Sequence, residues 1–453
     1  MKVRTSGKRK LVMKNHFWKL ILPITFQQFM LALVSASDAL MLGGLNQDSL
    51  SAVSLAGQIA FVFNLFMAAM TIGTSMFAAQ YWGSEDKESV AELMAFVLRT
   101  TLLAALAFCV CATFAPRALM YIFTGDDRLV ELGARYLRVV GTSYIFSGVS
   151  QIYLCIMKNS GRAGRSMLIS SVTAALNILL NAVLIYGLCG MPAMHIAGAA
   201  LATVLANVVG FVWAVAESCG KAGIRPAKSY VILTVSELEK KFWKYVTPVT
   251  INEIVWGGGF TMYSVILGHM GTDAVAANSI ANITKNLLVC FCLGLGSGGS
   301  IIVGNALGAG ELEKAKRDGA LLVRLSIVCG VLTGLALLAL SPVILQNVNI
   351  SAQAKEYLRM MLYICSYYLA GKAVNGMTIG GIFCAGGDSR FGLVCDAVTL
   401  WCITIPLGVL AAFVFQAPVI VVYFLLNLDE VVKLPAVYRH YKKYRWVRNL
   451  TKE

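Results

Sequence analysis

The chain has 453 residues, of which 58% are hydrophobic and only 13% charged, and a mean hydropathy of +0.72. Those values exclude an ordinary soluble domain and define an all-α polytopic membrane protein. The formal net charge of +15 would suit a nucleic-acid binder if the chain were soluble, so its meaning depends on where the basic residues fall.

The chain opens with a basic segment, residues 1–16, carrying Lys2, Arg4, Lys8, Arg9, Lys10 and Lys14. No small-residue cleavage pattern follows, so the first apolar run is expected to be a retained helix and not a removed signal. Crossing the roughly 30 Å apolar layer takes about 20 helical residues, which leaves room for about a dozen spans. Apolar windows fall near 17–42, 51–80, 91–115, 130–157, 166–188 and 193–217, then 242–270, 276–306, 318–341, 355–385, 391–415 and 417–438. These predict twelve transmembrane helices, the longer ones tilted or running on into the interface.

The connections after even-numbered windows are basic: Lys158, Arg162 and Arg165; then Lys221, Arg225, Lys228, Lys240 and Lys241; then Lys314, Lys316 and Arg317. Arg439, Lys442, Lys443, Arg445 and Arg448 crowd the far terminus, residues 439–453. The odd connections (GLNQDS, GLCGMP, HMGTD, FQAP) are short or poor in charge. By the positive-inside rule both termini are expected in the cytoplasm of a cell membrane, and the basic charge is a topology signal with no nucleic-acid partner implied. Most of the twelve cysteines lie inside apolar windows, no Cys-x-x-Cys occurs, and His16, His195, His269 and His440 are scattered singly. They read as packing groups, with no metal site expected.

FWKLILPIT from Phe17 returns as FWKYVTPVT from Phe242, an offset of 225 residues. Without a gap the same offset pairs Leu42-Gly43 with Leu267-Gly268, Asp48 with Asp273, Gly73 with Gly298, Gly83 with Gly308 and Arg99 with Arg324. After a four-residue shift, Tyr136-Leu137-Arg138 answers Tyr357-Leu358-Arg359, and NSGRAGR returns to the 225 register against CAGGDSR. The expected organisation is two pseudo-symmetric six-helix lobes, residues 17–217 and 242–438, joined by a cytoplasmic linker at 218–241 and related by an axis along the membrane normal.

Candidate charges inside the windows are few: Asp38, Arg99, Glu253, Lys285, Arg324, Lys372, Asp396 and the pair Asp429-Glu430. Arg99 and Arg324 lie near helix ends and are expected to snorkel. Asp396 and Glu430 are explained by neighbouring bases, Arg390 six residues before and Lys433 three after. Asp38, about 21 residues or roughly 31 Å along its helix, sits in the outer part of the span, and Glu253, roughly 16 Å deep, lies between Pro248 and Gly257-Gly258-Gly259. An ionisable residue at such depth is a candidate for cation coordination or proton exchange, or a structural tie between helices. Lys285 and Lys372 are deep enough to partner an acid. Asn177 and Asn181, four apart, share a helix face and supply either an oxygen-rich lining or interhelical hydrogen bonds.

Several stretches together resemble the multidrug and toxic compound extrusion (MATE) transporters, in a bacterial branch. They are ASDALMLGGL, MFAAQYWGSED, NILLNAVLIYG, GMPAMHIAGAALAT, GGSIIVGNALGAGELEKAK, GIFCAGGDSRFG before Trp401 and IPLG, and the closing DEVVKLPAVYRHYKKYRWVRNL. The resemblance covers about residues 17–450. It implies two six-helix lobes forming a V, alternating access, and export of organic compounds driven by inward H⁺ or Na⁺, with no other cofactor. It also implies that Asp38 is the family's first-helix acid and Asn177 its fifth-helix Asn. Asn181 stands where one group of relatives has Asp and another Asn, which removes a second carboxylate. An acid pair that some members carry on the seventh and tenth helices does not transfer: Glu253 lies nearer its proline, and the tenth helix has Lys372 and Asn375 without an Asp.

The expectation is therefore a monomeric secondary exporter of small, cationic or amphipathic compounds, not an enzyme. Asp38, Asn177, Asn181 and Glu253 are its candidate ion-coupling residues, and Lys285, Lys372, Asn375 and Asp396 its candidate cavity or gating residues. The rival reading is a specific exporter or flippase of a metabolite, peptide or lipid-linked molecule. Asp38 is matched at the 225 offset by Tyr263, so the acid is an asymmetry laid over a duplicated scaffold.

Overall fold

A computed structural model describes residues 2–43, 47–221, 223–227 and 237–452, and among these there is no strand. The first half contains α1 (Lys2–Gly43), α2 (Gln47–Gly83), α3 (Lys87–Phe114), the short α4 (Pro116–Tyr121), α5 (Asp127–Val140), α6 (Ser143–Asn159), α7 (Ala163–Tyr186) and α8 (His195–Cys219). The second contains α9 (Glu237–Gly268), α10 (Thr272–Gly308), α11 (Leu312–Asn347), α12 (Ala352–Asn375), α13 (Ser389–Ala397), α14 (Ile405–Val409), α15 (Val419–Leu426) and α16 (Asp429–Lys442). Of the linker expected at 218–241, residues 222 and 228–236 lie outside the described residues.

Four expected spans are interrupted. The window 130–157 is the pair α5 and α6, bent by 47°. Gly141 stands at the bend, where a Cβ would lie 2.8 Å from that of Ala112. α12 passes into a π-helical stretch at Gly376–Phe383, and α13 and α14 are joined by another at Val398–Thr404 just before Pro406. The last window breaks at Asn427, whose Nδ2 donates to Tyr423 O at 2.8 Å, between α15 and α16.

Among the described residues eight helices are long and apolar enough to cross a membrane alone, or nine counting the bent pair. The three remaining windows are helical as well: α9, α12 with its π-helical continuation, and α15 with α16. Each carries charged residues described below, Glu253, Lys372, and Asp429 with Glu430 and Lys433, which dilute its hydropathy.

Packing divides the chain into two compact units: Met1–Gln28, Ala79–Glu85 and Lys241–Glu453 in one, Phe29–Ala78 and Asp86–Lys240 in the other. Thus α1 and α2 each run through both. Glycines on α10 explain why the first part of α1 packs with the second repeat. A Cβ at Gly294 would stand 2.4 Å from Thr25 Cα, and one at Gly298 would stand 2.8 Å from Ile21 Cγ1. Small residues let helices in lipid approach to backbone contact, where dispersion and weak polar contacts hold them.

In the other unit Phe63, Phe108 and Tyr144 form a ring cluster with centroids 5.0–6.2 Å apart. Gly198 lets α8 close on α7, since a Cβ there would lie 2.5 Å from Leu184 O. Arg99, expected to snorkel, instead pairs with the buried Glu239. That carboxylate comes from a distant part of the sequence, which a reading along one helix could not supply.

Candidate functional site

Each unit contains a buried polar cluster. In the unit holding most of the first repeat, α7 presents Asn177 and Asn181 one turn apart towards Asp38 on α1. Asn181 Nδ2 donates to Asp38 Oδ1 at 2.6 Å and to Asn177 Oδ1 at 3.1 Å. Asn177 Nδ2 reaches Thr203 Oγ1 on α8 at 3.4 Å, and that hydroxyl donates to Ala199 O at 3.0 Å. Asn181 and Asn177 are 1% and 6% exposed, whereas Asp38 is partly exposed. Tyr186 OH donates to Met41 O at 2.8 Å and ties the end of α7 to that of α1.

This cluster holds one carboxylate, and its neighbours are amides and a hydroxyl. Among the described residues no Lys, Arg or His forms an ion pair with Asp38. Asn181 Oδ1 is buried without a hydrogen-bond partner among the described residues. Asp38, Asn181, Asn177 and Thr203 therefore form one hydrogen-bonded chain whose acceptors are all oxygens, chemistry suited to a proton or a hard cation and not to a soft transition metal. Among the described residues no group of three or more His, Cys, Asp and Glu is placed to hold a metal ion.

The second cluster centres on Lys433 of α16. Its Nζ lies 2.8 Å from Asp396 Oδ1 on α13, 3.4 Å from Glu430 Oε1 and 3.6 Å from Asp429 Oδ2. Glu430 also takes Lys372 Nζ of α12 at 3.1 Å, and Asn375 Nδ2 donates to both its Oε2 and its backbone O at 2.7 Å. Asn252 Nδ2 on α9 donates to Asp396 Oδ2 at 3.1 Å. Gly371 makes room for Glu430, since a Cβ there would sit 3.0 Å from that of Glu430. Lys433, Glu430, Asp429, Asp396 and Asn375 are all buried. Such a set is tenable in the interior because each charge has an opposite neighbour.

Asp396 was expected to be neutralised by Arg390; its partner is Lys433. Six residues are about one and two-thirds helical turns, so Arg390 and Asp396 leave the helix on different faces, while packing brings α16 alongside α13. Lys372 does partner an acid, Glu430. Lys285 takes rings in place of a carboxylate: its Nζ lies 4.9 Å from the Tyr368 centroid and 5.9 Å from that of Phe260. Glu253, beside Asn252, makes no ion pair among the described residues. Its charged neighbours are Lys372 and Asp396. Sequence reasoning missed Lys433 as the hub. The available signal was DEVVK, whose i, i+3 and i, i+4 spacings put both acids on the lysine's face.

Two repeat-related sets of membrane helices, each with a polar cluster buried among its helices, define a multi-pass membrane transporter. A family model described as MatE matches residues 23–183 and again 248–410, so the chain belongs to that family. The two matches begin 225 residues apart, the register of the internal repeat. An uncharacterized transporter of Bacillus subtilis, YisQ, is 21% identical over 435 residues, covering 95% of this chain and 94% of that protein. A probable multidrug resistance protein NorM of Agrobacterium fabrum is 25% identical over 406 residues, covering 85% and 83%.

Two solved structures share the fold. A MOP superfamily transporter from Pyrococcus furiosus, described as having a binding pocket of reverse polarity, gives a TM-score of 0.86 at 18% identity, covering 95% of this chain and 96% of that one. A multidrug resistance MATE family transporter in an outward-facing conformation gives 0.85 at 19%, with 95% and 96% covered. The fold is the twelve-helix, two-lobed one of these transporters.

Proposed function

We propose that the protein is a secondary efflux transporter of the cell membrane, with both termini cytoplasmic, that exports small cationic or amphipathic organic compounds in exchange for H⁺ or Na⁺. The observation that carries this reading is the Asp38 carboxylate, which is held only by Asn181 and has no cationic partner among the described residues. A carboxylate so placed changes the charge of its surroundings whenever it takes up or releases a cation. Neutralised, it lowers the cost of closing low-dielectric protein around it. Ionised, it presents a negative centre to a cationic substrate. The relatives' description as multidrug resistance proteins supports the same reading.

The test is efflux from proteoliposomes with pH and Na⁺ gradients imposed one at a time. Export under one gradient, lost by at least about tenfold in Asp38→Asn with membrane insertion unchanged, is expected, the free-energy equivalent being about 1.4 kcal/mol. Wild-type export by the variant would sink the proposal.

One observation favours a second reading. Lys285 is a buried cation faced by two aromatic rings and, among the described residues, by no carboxylate in an ion pair, which suits an anionic or lipid-linked cargo. Binding of a panel of organic cations against anionic lipids to the purified protein separates the two.

A further inference from the structure

We propose that residues 444–452, which follow α16, form a latch that holds the terminal end of the transporter closed, and that Gln80 at the tip of α2 is the residue it locks onto. The segment is basic and polar, yet Trp446 and Leu450 are 0% exposed. Gln80, also fully buried, spends its whole carboxamide here. Nε2 donates to Ala385 O at 2.7 Å and Arg448 O at 3.2 Å, and Oε1 accepts the Leu450 N–H at 2.7 Å.

The segment fastens three further elements. Asn449 Nδ2 donates to Gly308 O at 3.2 Å at the end of α10, Lys241 of α9 bonds Leu450 O, and the Tyr441 and Trp446 rings stack at 5.6 Å. Its own turn is closed by Val447 N–H on Tyr444 O at 3.0 Å, and by Thr451 N–H and hydroxyl on Asn449 Oδ1 at 2.9 and 2.6 Å. Tyr444 stands at φ 51°, a left-handed conformation that a bulky L-residue keeps only when its surroundings impose it.

The sequence makes room for this chain. A Cβ at Gly386 would fall 1.6 Å from Trp446 O, one at Gly387 would fall 2.9 Å from a Leu450 methyl, and one at Gly319 would meet the Trp446 ring at 3.1 Å. Beneath the latch the tips of α2 and α10 touch backbone to backbone across the repeat. A Cβ at Gly83 would lie 2.1 Å from Asn305 O, and one at Gly308 would lie 1.9 Å from Gln80 O. Both contacts pair a residue with the other tip at the 225 offset, so the closure is symmetric.

The latch on it is not symmetric. Gln80 is engaged by the C-terminal segment, whereas Asn305 Oδ1, its counterpart, has no hydrogen-bond partner among the described residues. Because the segment bonds Gln80 on α2 and Gly308 on α10 at once, those tips cannot part without breaking one set of bonds. Gln80 and the segment are therefore positioning elements of the transport cycle, remote from substrate.

The inference rests on the alternating-access reading above. The test uses the full-length protein in lipid nanodiscs, with spin labels introduced as an unnatural amino acid at the exposed positions Glu85 and Glu313, next to the tips of α2 and α10. Gln80→Ala, and a chain ending at Lys443, are expected to move the closed-to-open ratio about tenfold towards the longer separation, the scale of one or two buried hydrogen bonds. Gln80→Glu keeps the acceptor for Leu450 N–H but sets a carboxylate oxygen against the carbonyls of Ala385 and Arg448, and is expected to move the ratio at least as far as Gln80→Ala. Wild-type distributions in folded Gln80→Ala and in the shortened chain overturn the latch, as does a shortened chain that no longer folds, since the segment then serves stability alone. Absence of gradient-driven export by the wild type overturns the transport reading instead, and leaves the distance measurement standing by itself.

Discussion

Asp38 and Tyr263 occupy matching positions in the two repeats and meet matching helices, but with opposite chemistry. Asp38 accepts from Asn181 of α7 at 2.6 Å, while Tyr263 shares a hydrogen bond with Thr404, before α14, at 2.8 Å. Around Asp38 the partners are neutral. In the second repeat ionisation has moved elsewhere, to Asp396, Asp429 and Glu430, where Lys433 and Lys372 offset it. One scaffold thus carries an acid with no ion-pair partner among the described residues and a group of acids paired with lysines. On the proposed function, the first responds to a cation arriving from solution. The second already has its cations built in.

The largest effect is expected from breaking the second cluster. Lys433→Met removes the cation shared by three buried carboxylates, and truncating one partner of a buried ion pair costs about 3–5 kcal/mol. Thermal unfolding in detergent should show a large fall in Tm. The same substitution combined with Asp396→Asn should recover part of it, because one orphaned charge has then gone as well. An unchanged Tm in Lys433→Met would mean that water or an alternative cation reaches the acids, and the contrast between the clusters would fail.

Next in size is the comparison of Asp38→Asn with Glu253→Gln. Both replace a carboxylate by its near isostere. The first removes the only charge of its cluster and leaves no cation orphaned, so stability should change by less than about 1 kcal/mol while gradient-driven export is lost. Glu253 lies beside Lys372 and Asp396, charges that persist when it is neutralised, so export should stay within about threefold of wild type, equivalent to less than 1 kcal/mol. Equal loss in the two variants would make the second cluster a coupling site too.

Much of this arrangement could be read from the sequence where spacing along one helix fixes it. Asn177 and Asn181 share a face because they are four apart, and the repeat register singles out Asp38 against Tyr263. The twelve apolar windows are visible because length and hydropathy alone define a span. What was not legible depends on elements far apart in the chain. The Lys433 to Asp396 contact joins α16 to α13, Lys372 to Glu430 joins α12 to α16, and Gln80 meets a segment some 370 residues later. No helical period encodes such pairs. The π-helical stretches escaped for a related reason, since an apolar run on a buried helix has no polar face from which a shift of register could be seen.

The smallest effect sharpens the contrast between the two matched positions. Tyr263→Phe deletes one neutral hydrogen bond. Its partner keeps another, because Thr404 Oγ1 also reaches Leu400 O at 3.3 Å. A hydroxyl left with a backbone acceptor avoids most of the desolvation penalty, so a loss of about 0.5–1 kcal/mol in Tm-derived stability and unchanged export are expected. Asn181→Ala at the matching interface has no such reserve: it strips Asp38 of its one side-chain donor and leaves Asn177 Oδ1 without the Nδ2 it accepts from. If Tyr263→Phe cost as much as Asn181→Ala, or abolished export, the second repeat's tyrosine would be a working part of the cycle. The asymmetry would then lie in the kind of proton carrier each repeat uses and no longer in whether it has one.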